Sequence, residues 1–317
     1  PFNTERHLIP MKTSASAARL RGDLLLLLTA LIWGVAFVAQ KSGGEALGPL
    51  TCNGMRSLIC VAGLLTVIPV MDKLGCGRRP QTAAERRTLW IGGGLCGLAM
   101  FAATNLQQFG LSDPAVSEGK GAFVTALYIV LVPLIGIFFG RRATVFNWLG
   151  VLLAVAGLYL LCAMGDSGFG RADILLLLCA LAFSVQIMLV DRFSPQVDGV
   201  RLSCIQFAVV GILDLPLMFI FESPTLPVLG AHAGELLYLG LMSSGVGYTL
   251  QILGQKDTDP TAASLIMSLE SVFGALAGWL IAGHALGGRE IVGCVLMFAA
   301  IVLAQLPAPK RKEKNDA

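Results

Sequence analysis

The chain has 317 residues, of which 55% are hydrophobic and only 14% charged, with a mean hydropathy of +0.75. That is too few polar side chains to coat a water-exposed surface, which excludes an ordinary soluble domain. The formal net charge of +3, with no basic stripe interleaved with aromatic residues, excludes nucleic acid as an expected partner.

Residues 1–10 precede Met11 and are expected to be an upstream remnant, set aside from the fold. The first apolar run is expected to persist as a span rather than be cleaved. A membrane-crossing helix needs about 20 apolar residues to cover about 30 Å of hydrocarbon. Ten segments meet this pattern in chain order: Leu24 to Gln40, Gly48 to Val70, Leu89 to Phe109, Ala115 to Phe139, Ala143 to Ala163, Ile174 to Val190, Leu202 to Phe221, Leu236 to Gly254, Ala262 to Gly283 and Ile291 to Leu306. The breaks between them are short and carry turn chemistry, as in Ser112-Asp113-Pro114 and Asp257-Thr258-Asp259-Pro260. No segment is long enough for a second, soluble domain.

The placement of basic residues orients the spans. Eighteen of the 23 Lys and Arg fall on the side that holds the N-terminus, and three (Lys41, Arg171 and Arg289) fall opposite. By the positive-inside rule both termini are expected to be cytoplasmic. The basic tail 308–317 belongs to that side.

An internal repeat divides the chain. Asp23 to Leu31 reads DLLLLLTAL and Asp173 to Leu181 reads DILLLLCAL, seven identities in nine at an offset of 150, with Trp33 aligned on Phe183. Asp113-Pro114 and Asp259-Pro260 open the fourth and ninth segments in parallel. The expected organisation is a tail of residues 1–21, a five-helix repeat over 22–163 and a second over 164–307. Five spans per copy is an odd number, so the second copy enters the membrane from the opposite side. The fold class expected is therefore an all-α integral membrane protein, ten transmembrane helices as two inverted five-helix repeats. In such proteins the substrate site lies near the midplane, between the repeats.

Polar side chains inside spans must face protein or a water-filled cavity. Arg56 and Asn53 share a face of the second span. Asp214 lies deep in the seventh, before Pro216 and two turns after Gln206, and Glu270 lies in the ninth among small residues. Asp214 could pair with Arg56, carry a coupling proton or cap backbone groups freed by the proline; Glu270 invites the same alternatives. Lys120 and Glu118 stand at the start of the fourth span. Ser244, Tyr248, Gln251 and Gln255 form one polar stripe of the eighth, Trp33, Phe37 and Gln40 a comparable stripe of the first, and Asn105 and Gln108 a shorter one of the third. Each stripe reads either as a cavity wall or as interhelical hydrogen bonding. Gly93-x-x-x-Gly97 and Gly274-x-x-x-Gly278 read as close-packing motifs. The eight cysteines lack CxxC spacing and, with only three histidines, suggest no metal site; no cofactor is expected.

The stretches LTALIWGVAFVAQK (28–41), GMRSLICVAGLL around Arg56, GAFVTALYIVLVPLIG (121–136, with Tyr128) and LYLGLMSSGVGYTLQILGQKDTDPTAASLIMSLESVFGALAGWLIAGHAL (237–286) together resemble the EamA-type branch of the drug/metabolite transporter superfamily. The resemblance runs from about Leu24 to Leu306. It implies two five-helix inverted repeats around a central cavity, export of small metabolites, amino acids or drugs, and a bacterial inner-membrane location. Two positions depart from the family pattern. Glu270-Ser271 stands where Glu-Pro is usual, which argues against a helix break at that point, and Gly283-His284 replaces Gly-Glu.

The expected activity is secondary transport of a small molecule by alternating access, with no catalytic residue. Trp33, Phe37, Gln40, Asn53, Arg56, Asn105, Gln108, Lys120, Tyr128, Tyr248, Gln251 and Glu270 are the expected cavity residues, and Asp214 or Glu270 the expected proton-coupling acid. The expected partners are a small-molecule substrate and the lipid bilayer, with monomer and homodimer both open. A membrane-embedded enzyme acting on lipid is the alternative of a different class, but no HExxH or Gly-x-Ser-x-Gly motif is present. A channel is the other, against which the repeat within one chain argues.

Overall fold

A computed structural model describes residues 15–114, 116, 118–140, 143–161, 170–282, 287–304 and 306, the side chains of 15, 118–120, 278, 281 and 282 excepted. Among these there is no strand. The helices run α1 (Ala15–Leu47), α2 (Pro49–Lys73), α3 (Ala83–Leu111), α4 (Glu118–Ala126), α5 (Tyr128–Phe138), α6 (Val145–Leu161), α7 (Arg171–Phe193), α8 (Gly199–Phe221), α9 (Leu226–Ala231) and α10 (Ala233–Leu237). A π-helical segment, Tyr238–Gly247, leads into α11 (Tyr248–Gln255), followed by α12 (Pro260–Met267), α13 (Glu270–Ala282) and α14 (Gly288–Ala304). Eight of the described helical segments are long and apolar enough to cross a membrane. Helices α6 and α14 have 17 residues each, about 26 Å of rise. The chain is thus an all-helical, multi-pass membrane protein.

Local chemistry starts these helices where the sequence changes character. Thr82 and Glu85 form a reciprocal capping box at the head of α3, and Asp259 accepts the Thr261 N–H before Pro260 opens α12. The head of α2 is capped from a distance. Gly48 turns the chain at φ 89°, and Glu222, just beyond α8, accepts the Leu50 and Thr51 N–H groups at 2.9 and 2.7 Å. A β-carbon on Gly48 would lie 2.6 Å from that carboxyl, so both the backbone angle and the space require glycine. At the far end of the same helix pair, Arg201 grips Asp72 through both carboxylate oxygens at 2.6 and 2.7 Å, with Arg79 added at 2.8 Å. Helices α2 and α8 are therefore tied at both ends as well as packed along their length.

The other principal pairings are α6 with α14, α3 with α7 and α8, α1 with the π-helical segment, α11 and α13, α2 with the π-helical segment, and α7 with α4 and α5. Small residues make the closest of these possible. Gly93 and Gly97 of the first close-packing motif face Ile205 and Val209 of α8. At the α6–α14 crossing, a β-carbon on Gly293 would meet the Gly157 carbonyl oxygen at 2.7 Å, and one on Gly157 would meet the Gly293 oxygen at 2.9 Å. Backbone atoms cannot rotate aside, so Gly293→Leu must separate the helices. The expected result is destabilisation of about 1–3 kcal/mol or more, read as a clear fall in the melting temperature of purified protein. An unchanged melting curve would mean the crossing is looser than described.

Candidate functional site: a buried aromatic cavity

Two helices are interrupted, and a small cavity with about 30 Å³ of open space lies beside the interruptions. Helix α4 ends at Ala126 and α5 begins at Tyr128, while α12 ends at Met267 and α13 begins at Glu270. The second break occurs without the proline. Ser264 and Ser268 turn their hydroxyls back onto the carbonyls of Thr261 and Leu265, at 2.8 and 2.7 Å, while Leu269 N–H reaches the Ile266 carbonyl in a tightened turn. Such back-bonding competes with the regular helix ladder and bends it. The missing proline at Glu270-Ser271 puts a helix break there in doubt; the helix is interrupted all the same, beside this serine back-bonding. Across the cavity the first residues after the two breaks meet, the Tyr128 hydroxyl donating to the Glu270 carboxylate at 3.3 Å. Glu270 also sits in the first turn of α13, where the helix dipole favours an anion.

The aromatic wall comes from α1 and its neighbours. Trp33 donates its indole N–H to the Ser243 carbonyl at 3.2 Å, and its ring lies 4.4 Å from that of Tyr248. The π-helical turn makes room: Gly247 lies under the indole, where a β-carbon would come within 2.7 Å of its nitrogen. Phe207 closes on Tyr248 edge-on at 5.2 Å, and Phe37 and Phe183 complete the lining. The polar wall is a relay of amides. Gln251 donates to Gln186, and Gln186 to Gln206, each at 3.1 Å, while Gln255 donates to the Ile187 carbonyl.

Of the residues expected at the cavity, Trp33, Phe37, Gln40, Tyr128, Tyr248, Gln251 and Glu270 line it. Gln108 instead donates to the Gln40 carbonyl at 2.9 Å, and Gln107 beside it faces the cavity. Asn53, Arg56, Asn105 and Asp214 gather in a second buried cluster between α2, α3 and α8. There Asn53 donates to Asn105, and Asn105 to Asp214 at 2.9 Å. Arg56, 2% exposed, lies near enough to Asp214 and to the Tyr248 hydroxyl to act on both electrostatically, and it does not line the cavity. Asp214 and Gln206, placed on one face by the sequence, serve separate networks. The Lys120 side chain and His284 lie outside the described residues. Sequence reasoning missed Gln107, one position from the expected stripe; Thr125, Ser243 and Met267, where helices break or widen; and Phe183, Gln186 and Ile187 of α7, for which no stripe was read.

The model of the EamA-like transporter family matches residues 20–163 and again 170–306. The chain belongs to the EamA-like transporter family. It is a multi-pass membrane transporter of the drug/metabolite transporter superfamily. It is 30% identical to an uncharacterized transporter of Archaeoglobus fulgidus, over 91% of this chain and 87% of that protein. It is 22% identical to the uncharacterized transporter YoaV of Bacillus subtilis, over 89% and 96%. The identity to the uncharacterized inner membrane transporter YedA of Escherichia coli is 23%, over 87% and 88%. A solved crystal structure shares the fold with a TM-score of 0.73 at 22% identity, covering 92% of this chain and 97% of that one.

Proposed function

We propose that this EamA-like transporter is a secondary active carrier that exports a small organic molecule across a bacterial inner membrane by alternating access. The observation that carries the reading is a cavity shared by the two halves of the chain, with repeat-equivalent positions on its walls: Trp33 and Phe183, then Phe37 and Ile187. Two inverted five-helix repeats, over 22–163 and 164–307, account for this arrangement. The packing supports it, because exchanging the halves exchanges the pairings: α1 with α13 for α7 with α4 and α5, and α3 with α8 for α2 with the π-helical segment. The α2–α8 and α6–α14 pairs map onto themselves. The twofold family match and the paired helix breaks lend further support. A site between two repeats is what rocking of one half against the other exposes alternately.

Reporter fusions test the ten-span, inverted part of the proposal. A fusion at Lys314 is expected to report the cytoplasm and one inserted between Ser223 and Gly230 the opposite side. Same-side signals would remove the inverted repeat. For the function, a panel of amino acids, amines and small drugs is screened by thermal shift on purified protein, since a ligand of the folded state raises its stability. The stabilising solute is expected to enter proteoliposomes chemically unchanged. Its conversion into product would favour an enzyme.

A further inference from the structure

We propose that the cavity recognises a protonated organic amine with an apolar or aromatic body. The inference rests on the carrier reading and names its substrate class. Glu270 is the one carboxylate among the described lining residues, which include no Lys, Arg or His. It is 5% exposed and its direct partner is the neutral Tyr128 hydroxyl. Arg56 is engaged elsewhere, with Tyr248 and Asp214. A buried carboxylate facing a cavity whose described lining residues carry no cation is a seat for one supplied by the ligand.

The hydrogen-bonding inventory points the same way. Three of the lining donors are already committed: the Trp33 N–H to Ser243, the Tyr128 hydroxyl to Glu270 and the Gln251 amide N–H to Gln186. Three lining groups are buried without a hydrogen-bond partner: the Gln251 and Gln40 Oε1 atoms, which accept only, and the Thr125 hydroxyl, which can accept or donate. An ammonium brings up to three donors for the Glu270 carboxylate and the two amide oxygens, groups to which a carboxylate ligand has nothing to donate. The rings of Trp33, Phe37, Phe183 and Tyr248 supply cation–π attraction and an apolar seat for the body.

The test compares four ligands sharing a phenyl body: 2-phenylethylammonium, 3-phenylpropan-1-ol, 3-phenylpropionate and the zwitterion phenylalanine. Binding to the full chain in lipid nanodiscs is measured calorimetrically. The ammonium is expected to bind at least tenfold more tightly than the other three. Glu270→Gln is expected to erase that preference, and Glu270→Asp to retain part of it. Equal or tighter binding of the alcohol, the anion or the zwitterion would overturn the inference, and so would binding of none of the four. These comparisons on the wild-type protein decide the matter even where a variant fails to fold. Counterflow of an anion or zwitterion without selectivity for amines would sink the inference and leave the carrier reading standing. Selective ammonium binding with no solute movement would do the reverse.

Discussion

Glu270→Gln is expected to lower transport of a cationic solute into proteoliposomes by roughly 100-fold, about 3 kcal/mol, while the melting temperature stays near wild type. The cavity places this carboxylate against the ligand in a desolvated site, where losing a charge-assisted contact costs on that scale. The substitution keeps the side chain's volume and its hydrogen bond with Tyr128, so folding has little to lose. Asp214→Asn separates binding from coupling, because Asp214 does not line the cavity and is bonded to Asn105. If Asp214 is the proton-coupling acid, its Asn variant exchanges solute normally but fails to accumulate it in response to a pH gradient. If coupling belongs to Glu270, Asp214→Asn accumulates as wild type does. Wild-type transport indifferent to the gradient would remove the coupling proposal for both residues.

Arg56→Ala is expected to reduce transport at least tenfold without reducing the protein's amount in the membrane. A charged side chain near the bilayer centre costs about 2.5–3.5 kcal/mol to insert, so its removal does not hinder insertion. What it removes is the positive charge beside Tyr248, whose ring packs on Trp33 and Phe207. Tyr248→Phe cuts the same link from the other end. It is expected to reproduce most of the defect, and the double variant to add little, as for two residues of one network. Additive losses would show that Arg56 acts on transport by another route. Loss of Arg56→Ala from the membrane, with activity per folded molecule unchanged, would make its role structural.

Eight of the ten expected spans were legible because long apolar runs and turn chemistry are read one residue at a time. The first-helix stripe was legible too, since Trp33, Phe37 and Gln40 recur at the helical period and α1 is regular. The period fails where the helix is irregular. In the π-helical segment each turn takes an extra residue, so Ser243 lines the cavity although the stripe was counted from Ser244. At α3 the stripe ran one position off, with Gln107 on the cavity and Gln108 on the α1 backbone. The break before Glu270 was hidden because proline is read as the breaker, whereas serine back-bonding has no fixed signature. Arg56, Asn105 and Asp214 were recognised as costly to bury, but which neighbours satisfy them depends on how α2, α3 and α8 pack, and that is not written along any one helix.

Counterflow tests the carrier reading most directly. Proteoliposomes are loaded with unlabelled 2-phenylethylammonium and diluted into a trace of the labelled compound. A carrier that exposes one cavity to each side in turn exchanges the two, so the label should rise transiently inside well above its outside concentration and then decay. A monotonic rise to equality, the behaviour of an open pore, would contradict alternating access. Appearance of a chemically altered label would contradict transport without catalysis.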